Sequence, residues 1–272
     1  MLQTSLNHKT MPSVSSFALL NAARELGCVG VELRNDLAQA LFDGKDPSVI
    51  RDAAESRALR ILALAEVYGF NDNDDTSRAK VRDLIGLAKG CGAEAIALIP
   101  RIGTAPVARG VQRDLLRDAL GRLQPMFEEA GIMGLVEPLG FSNSSLRLKR
   151  DALAVLSDLG NPRCFALIHD TFHHALSGET DVFAKATKIV HISGVTDPTV
   201  RFDDMTDAER GLVDDQDRLG NIDQIVALRA QGYAVPLSFE AFSPHVHGLE
   251  NPVANIALST EFITAQIAEM EI

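Results

Sequence analysis

The sequence predicts an α/β fold, a single (β/α)8 TIM barrel that occupies residues 1–272. Three observations predict it. The length of 272 residues is close to the roughly 250 that such a barrel needs. Short, almost wholly apolar runs recur eight times along the chain, as expected of parallel strands that are buried on both faces. Segments with helical periodicity separate these runs, and no linker interrupts the series.

The apolar runs are the predicted strands. In chain order they are Leu2–Leu6, Val29–Glu32, Ile61–Ala65, Ala95–Ile99, Gly134–Glu137, Cys164–Ile168, Lys188–Ile192 and Val235–Phe239. Five of these runs follow a glycine, placed where a helix would need a left-handed residue after its last turn. These glycines are Gly27, Gly92, Gly131, Gly160 and Gly232. The sequence therefore predicts that helix, turn and strand alternate throughout the chain.

The segments between the runs are the predicted helices. Apolar residues recur at helical spacing in two of them, at Val81, Leu84, Ile85 and Ala88 and at Leu116, Ala119, Leu120, Leu123 and Phe127. Asp46-Pro47 and Asn251-Pro252 each offer a capping residue followed by a proline in the first helical turn. A doubly wound open sheet is the main rival. It is disfavoured because no Gly-x-Gly-x-x-Gly follows the first strand and eight repeats suit a closed barrel better.

Two segments depart from the regular repeat. The stretch between Asp170 and Val190 is tight, so its helix must be short. The stretch from Gly194 to Gly220 is long, rich in aspartate and arginine, and has little apolar periodicity. Because a loop of this length is uncommon inside a compact domain unless it has a function, we expect this one to contribute to a binding site.

Composition excludes several classes of protein. A net charge of −11 disfavours binding to nucleic acid, because such proteins usually present a basic surface. Three widely spaced cysteines, Cys28, Cys91 and Cys164, fit neither a disulfide framework nor a cysteine zinc site and are expected to be small core residues. The sequence shows no apolar run of 18 residues and no signal-peptide pattern. We therefore expect a cytoplasmic protein without a membrane partner, and a homo-oligomer is compatible with the sequence.

Ionisable residues end several of the predicted strands. Active sites of (β/α)8 barrels form at these carboxyl ends, and four successive strands end in Glu137, Asp170, His191 and Glu240. One such residue alone would more often be a polar terminus or a structural ion pair. Four together predict a site for one divalent metal ion, rich in oxygen with a single nitrogen. Mn²⁺, Co²⁺ or Mg²⁺ would suit it, and Zn²⁺ is also compatible.

Motifs around these residues resemble the xylose-isomerase-like family of sugar isomerases and epimerases. They are Val136-Glu137-Pro138, His169-Asp170-Thr171-Phe172-His173, Val190-His191-Ile192 and Ser238-Phe239-Glu240. A closer resemblance, to the 2-keto-myo-inositol isomerases of inositol catabolism, rests on further segments. These are Asn7-His8, Glu32-Leu33-Arg34-Asn35-Asp36, Ala63-Leu64-Ala65-Glu66, Asp170-Thr171-Phe172-His173-His174 and Phe239-Glu240-Ala241-Phe242-Ser243-Pro244.

The resemblance implies a function for individual positions. It implies that Glu137, Asp170, His191 and Glu240 bind the metal, and that Glu137 and Glu240 also transfer the proton. It further implies that His173 contacts substrate oxygens. One position departs from the family, because several ketose epimerases carry an arginine six residues after the ligand histidine. This chain has Asp197 there, and its next arginine is Arg201.

These positions suit an isomerase that moves a keto group between adjacent carbons. The substrate would be a small cyclic polyol or keto sugar, for example 2-keto-myo-inositol converted to 1-keto-D-chiro-inositol. A metal bound to the substrate oxygens would stabilise the enediolate, and two carboxylates would remove and return the proton. Further candidates for contacts with substrate hydroxyls are Arg34, Glu66, Arg101 and Arg201.

Several alternatives stay open at this point. The same first step would serve an inosose dehydratase, a ketose 3-epimerase or a hydroxypyruvate isomerase. A trinuclear zinc endonuclease on this scaffold would need more histidines at strand ends. A non-catalytic sugar-binding barrel would not require both Glu137 and Glu240.

Other polar residues have structural interpretations. His169 and His174 are expected to pack behind the site, and His245 and His247 to line the pocket or a subunit contact. Glu32 could brace the barrel by hydrogen bonding, with Arg34 as its partner.

Overall fold

The computed structural model describes residues 2–72, 74–103 and 107–270. Eight parallel strands form a closed barrel in sequence order, and β1 pairs with β8 through Ser5 and Ser238. The predicted (β/α)8 barrel is therefore confirmed. Residues 1 and 271–272, the ends of the predicted 1–272 domain, lie outside the described residues.

The strands are β1 Thr4–Asn7, β2 Gly30–Arg34, β3 Arg60–Tyr68, β4 Ala95–Ile99, β5 Met133–Val136, β6 Phe165–Asp170, β7 Thr187–Ile192 and β8 Leu237–Phe239. The helices are α1 Ser16–Glu25, α2 Pro47–Glu55, α3 Asp75–Cys91, α4 Arg109–Ala130, α5 Lys149–Asp158, α6 Thr171–Ser177, α7 Asn221–Ala230, α8 Pro244–His247 and α9 Pro252–Met270. Each predicted strand overlaps an observed one, β4 is identical to its prediction, and no bound of the others differs by more than three residues.

Helix ends follow the local signals in the sequence. The Asp46 side chain accepts a hydrogen bond from Ser48 N at the start of α2, and Asn251 Oδ1 accepts one from Ala254 N at the start of α9. Helices α3 and α4 end at Gly92 and Gly131, whose φ angles are +73° and +68°. A residue with a Cβ would be strained at these angles. Short-range chemistry thus sets these helix boundaries.

Apolar side chains form two layers around the strands. The larger cluster lies between the barrel and the helices and includes Cys28 and Cys91, whereas Cys164 is half-buried and packs against its edge. A second cluster, which includes Leu135, Ile168 and Ile189, lies inside the barrel. Within the described residues, no helix combines the length and the apolar character that a membrane span requires.

Candidate active site

Four ionisable side chains meet inside the barrel because residues two apart on a strand point to the same face. Glu137 lies two residues after the inward-facing Leu135, and the same step leads to Asp170 from Ile168 and to His191 from Ile189. The ligand atoms of Glu137, Asp170, His191 and Glu240 all lie within 4.8 Å of one another, and all four residues are buried. This buried group of three carboxylates and one imidazole could hold a metal ion.

The orientation of His191 shows how a cation would fit. Its Nε2 lies 3.1 Å from Glu32 Oε2, and Glu32 is fully buried. Burial favours the neutral imidazole, but the carboxylates of Glu240, Glu32 and Glu137 raise the pKa of His191 well above its usual value. Without a metal the ring is therefore protonated, and a bound cation would take the place of the Nδ1 proton. Among the described residues, Nδ1 has no hydrogen-bond partner. It lies 3.1 Å from Glu240 Oε2 and 3.5 Å from Glu137 Oε1.

Glu32 therefore braces the site through a different partner from the one expected. The sequence suggested Arg34, but Glu32 instead binds His191, and its other oxygen accepts a hydrogen bond from the Ser238 hydroxyl. Arg34 extends the other way, to Asp36 and Glu240. Carboxylates that hold metal-binding histidines in this manner fix the tautomer and the ring orientation.

Asp170 divides its two oxygens between the backbone and the cluster. Oδ1 accepts a hydrogen bond from His173 N at 2.9 Å and so caps α6. Oδ2 lies 3.9 Å from His191 Nδ1 and 2.5 Å from Arg210 Nη2. Burial raises the pKa of Asp170, while the Arg210 guanidinium opposes that shift.

Arg210 is a central site residue that the sequence analysis missed. Its Nη2 donates to Glu240 Oε2 at 2.8 Å as well as to Asp170, and its Nη1 donates to Asp207 at 3.1 Å. The guanidinium lies 4.4 Å from the centre of the Phe242 ring, and the residue is only 1% exposed. It supplies positive charge beside Asp170 and Glu240.

The long loop after β7 brings Arg210 into the barrel mouth. Gly194 and Gly211 form an antiparallel bridge, with N–O distances of 2.9 and 2.7 Å. A Cβ on Gly194 would lie 2.5 Å from Leu212 O, so this close approach requires glycine. The unusual length of the loop was the one signal in the sequence, and it did not indicate which arginine would turn inward.

Glu240 and Glu137 have contrasting surroundings. Glu240 Oε1 accepts hydrogen bonds from Asn7 Nδ2 at 3.1 Å and from Arg34 Nη1 at 2.8 Å. Burial favours the protonated form of Glu240, but His191, Arg210 and Arg34 hold its pKa well below the usual value. Burial raises the pKa of Glu137 to about 7, against the opposing effect of His191.

A cavity of about 170 Å³ lies above the cluster. It is lined by Arg34, Asp36, Ala65, Glu66, Tyr68, Ala97, Ile99, Ile102, Glu137, Leu139, His173, His191, Asp207, Arg210, Glu240 and Phe242. His173 is neutral here, since burial lowers its pKa to about 3. Its buried Nδ1 has no hydrogen-bond partner among the described residues, and the residue lines the cavity.

The predicted substrate contacts fall into two groups. Arg34, Glu66 and His173 line the cavity, and Arg34 Nη2 donates to Glu66 Oε2 at 2.8 Å. Arg101 and Arg201 do not line it. Arg101 pairs with Asp72, and the Arg201 side chain is 77% exposed. We therefore leave these two arginines out of the proposed site.

The remaining histidines lie outside the cavity. His169 and His174 pack on the outer side of β6 in a buried polar network, as expected. His247 Nε2 lies 3.0 Å from Ala241 O, and His245 is exposed. Neither of the latter two lies in the metal cluster.

Comparison with known proteins supplies a family and a set of similar folds. A family model described as xylose isomerase-like TIM barrel matches residues 20–266. A xylose isomerase domain containing protein from Salmonella typhimurium LT2 is 29% identical, with a TM-score of 0.87 over 98% of this chain and 97% of the other. No curated protein sequence matches the chain.

Two further solved structures are less similar in sequence. An IolI protein with a bound zinc atom is 18% identical, with a TM-score of 0.81 over 98% of this chain and 99% of the other. An L-ribulose 3-epimerase is 20% identical, with a TM-score of 0.73 over 99% of this chain and 95% of the other. At these identities the likeness shows a shared fold.

Proposed function

The chain belongs to the xylose isomerase-like TIM barrel family, and we propose that it is a metal-dependent isomerase or epimerase. Its substrate would be a small keto sugar or cyclic keto polyol. Within this class we propose a keto-inositol, in which the keto group moves between adjacent carbons. The motifs that resemble those of 2-keto-myo-inositol isomerases support this choice. The structural likeness to an IolI protein and to an L-ribulose 3-epimerase is compatible with it.

The buried cluster of ligand atoms carries the proposal. Glu137, Asp170, His191 and Glu240 converge within 4.8 Å, and His191 Nδ1 faces Glu240 Oε2 and Glu137 Oε1 at 3.1 and 3.5 Å. Buried carboxylates at this density are costly unless cations neutralise them. A divalent ion such as Mn²⁺, Co²⁺ or Mg²⁺ suits the donor set, and Zn²⁺ is also compatible with these ligands.

The side chains around the cluster provide the other requirements of the reaction. When bound, the metal would act as a Lewis acid on the carbonyl and neighbouring hydroxyl oxygens of the substrate. Glu137 follows β5 and Glu240 follows β8, so their carboxylates approach a ligand from different directions. We assign them the removal and return of the proton. The neutral His173, which lines the cavity, would hydrogen-bond a substrate oxygen through its ring.

Hydrogen exchange tests the proposal directly. Purified protein loaded with Mn²⁺ is incubated with 2-keto-myo-inositol in deuterated buffer, and the products are followed by NMR. We expect an isomeric keto-inositol that contains deuterium at the carbon next to the carbonyl. Formation of a dehydrated diketone would indicate that the protein is a dehydratase and not an isomerase. Absence of exchange with both keto-inositol and simple ketoses would refute catalysis of this kind.

Variants identify the residues responsible. Glu137→Gln and Glu240→Gln should each abolish deuterium incorporation, whereas Glu261→Gln, a change of the same type at an exposed position of α9, should leave it unchanged. Removal of the metal with EDTA should stop the exchange, and Mn²⁺ or Co²⁺ should restore it. Exchange that continues in the metal-free protein would contradict the metal-dependent mechanism.

A further inference from the structure

We infer that Lys149 is a positioning residue that holds Asp170 and His173 from behind the barrel wall. The inference rests on the proposed function, in which Asp170 binds the metal and His173 contacts the substrate. Lys149 begins α5 and is not among the residues that line the cavity. Its influence on the site must therefore pass through its neighbours.

The Lys149 ammonium binds two histidines that adjoin the functional residues in sequence. Nζ lies 3.3 Å from His169 Nδ1 and 2.6 Å from His174 Nδ1. His169 directly precedes Asp170, and His174 directly follows His173. One buried cation thus ties together the two backbone positions from which Asp170 and His173 project into the barrel.

The hydrogen bonds of Gln224 determine the direction of the His169 contact. The Gln224 amide nitrogen donates to Thr171 O at 3.1 Å and to Leu219 O at 2.8 Å, so its oxygen must accept. His169 Nε2 lies 2.9 Å from that oxygen and donates to it. His169 Nδ1 is consequently the acceptor for Lys149. The network joins β6 and α6 to α7 and to the end of the long loop.

Helix α6 depends on hydrogen bonds to its neighbours because it has only seven residues. An isolated helix of this length is unstable in water, so tertiary contacts determine its orientation. Asp170 caps its first turn through His173 N at 2.9 Å, and Lys149 holds the same turn through His174. Loss of the contact between Lys149 and His174 would let the turn that carries His173 shift relative to Asp170.

The surroundings of Lys149 are costly for a cation. The residue is only 4% exposed, and its closest carboxylate oxygen, Glu179 Oε2, is 3.9 Å from Nζ. Glu179 meanwhile accepts hydrogen bonds from the backbone N–H groups of Lys149 and Arg150. An apolar side chain could fill this space without the desolvation cost. An apolar side chain could not, however, donate hydrogen bonds to the imidazoles of His169 and His174.

Metal affinity is the first test. Lys149→Met keeps the length and removes the ammonium, and Lys185→Met makes the same change at an exposed position. Changes behind metal ligands typically weaken metal binding 10–100-fold. We expect calorimetric titration of the folded, metal-free Lys149→Met protein to show a Mn²⁺ Kd raised by about that factor. The KM should rise as well, and Lys185→Met should match wild type in both measurements.

A second pair of variants keeps the test decisive if Lys149→Met does not fold. Asparagine places an amide oxygen near the position of the histidine Nδ1, so His174→Asn can still accept from Lys149, whereas His174→Leu cannot. We expect His174→Asn to retain most of the Mn²⁺ affinity and His174→Leu to lose it.

The outcomes separate this inference from the proposed function. Equal Kd values in wild type and Lys149→Met, or in the two His174 variants, would overturn the positioning role alone. Wild-type protein that binds no divalent metal would overturn the proposed metal site, and the inference with it.

Discussion

Replacement of Arg210 by methionine should strongly destabilise the metal-free protein. The guanidinium Nη2 lies 2.5 Å from Asp170 Oδ2 and 2.8 Å from Glu240 Oε2. Arg210 is 1% exposed, so its contacts with these oxygens are shielded from solvent. The methionine variant would leave two buried carboxylates with less positive charge around them.

The expected loss follows from the contacts that remain. Removal of one partner from a buried ion pair costs about 3–5 kcal/mol. Glu240 keeps Arg34 Nη1 at 2.8 Å on its other oxygen, so we expect the variant to lose about one such pair rather than two. A divalent metal would supply positive charge at the same oxygens. At 100 times its Kd, Mn²⁺ adds about 2.7 kcal/mol to the free energy of unfolding and should therefore recover much of the loss.

Urea unfolding in EDTA, followed by far-UV circular dichroism, measures the effect, because the chain contains no tryptophan for fluorescence. Arg201→Met is the matched control. Its side chain is 77% exposed and lies 3.7 Å from the nearest carboxylate oxygen, so its replacement should change the free energy of unfolding by at most about 0.5 kcal/mol. If Arg210→Met is as mild as this control, the buried guanidinium does not neutralise the cluster and our reasoning is refuted.

Two other predictions concern the residues behind the cluster. Glu32→Gln should raise the Kd for Mn²⁺ about 10–100-fold, because it weakens the hydrogen bond that orients His191 through Nε2. Calorimetric titration measures the Kd, and Glu55→Gln at an exposed position is the control. An unchanged Kd would contradict the prediction. Burial lowers the pKa of Lys149 from 10.5 to about 8, so between these values the unfolded chain binds more protons. From pH 7 to 9.5, the free energy of unfolding of wild type should therefore rise by about 2 kcal/mol relative to that of Lys149→Met. Urea unfolding at several pH values measures both free energies. A difference between them that does not change with pH would contradict the lowered pKa.

The strand series and its inward face were predictable because both depend on local, periodic features. Apolar runs of strand length marked the barrel, and the step from Leu135 to Glu137 placed a carboxylate on the inner face. Exact strand ends were less predictable. The last strand begins at Leu237 instead of Val235, because pairing with β1 and β7 determines where it starts.

The partners of individual side chains were not predictable in the same way. Glu32 and Arg34 project from one strand, yet Glu32 binds His191 and Arg34 binds Glu240 across the barrel. Arg101 also follows a strand, but it pairs with Asp72 outside the cavity. Which partner a side chain binds depends on distances between residues that are far apart in the chain, and no local pattern encodes these distances.

By itself, the sequence determined the barrel and the strand ends at which Glu137, Asp170, His191 and Glu240 meet. It could do so because a strand repeats every two residues and a closed barrel brings its carboxyl ends together. Tertiary structure alone decided that Arg210 turns inward and that Lys149 lies beneath β6. A long loop has no periodicity, and a buried cation reaches its place only when distant segments pack around it.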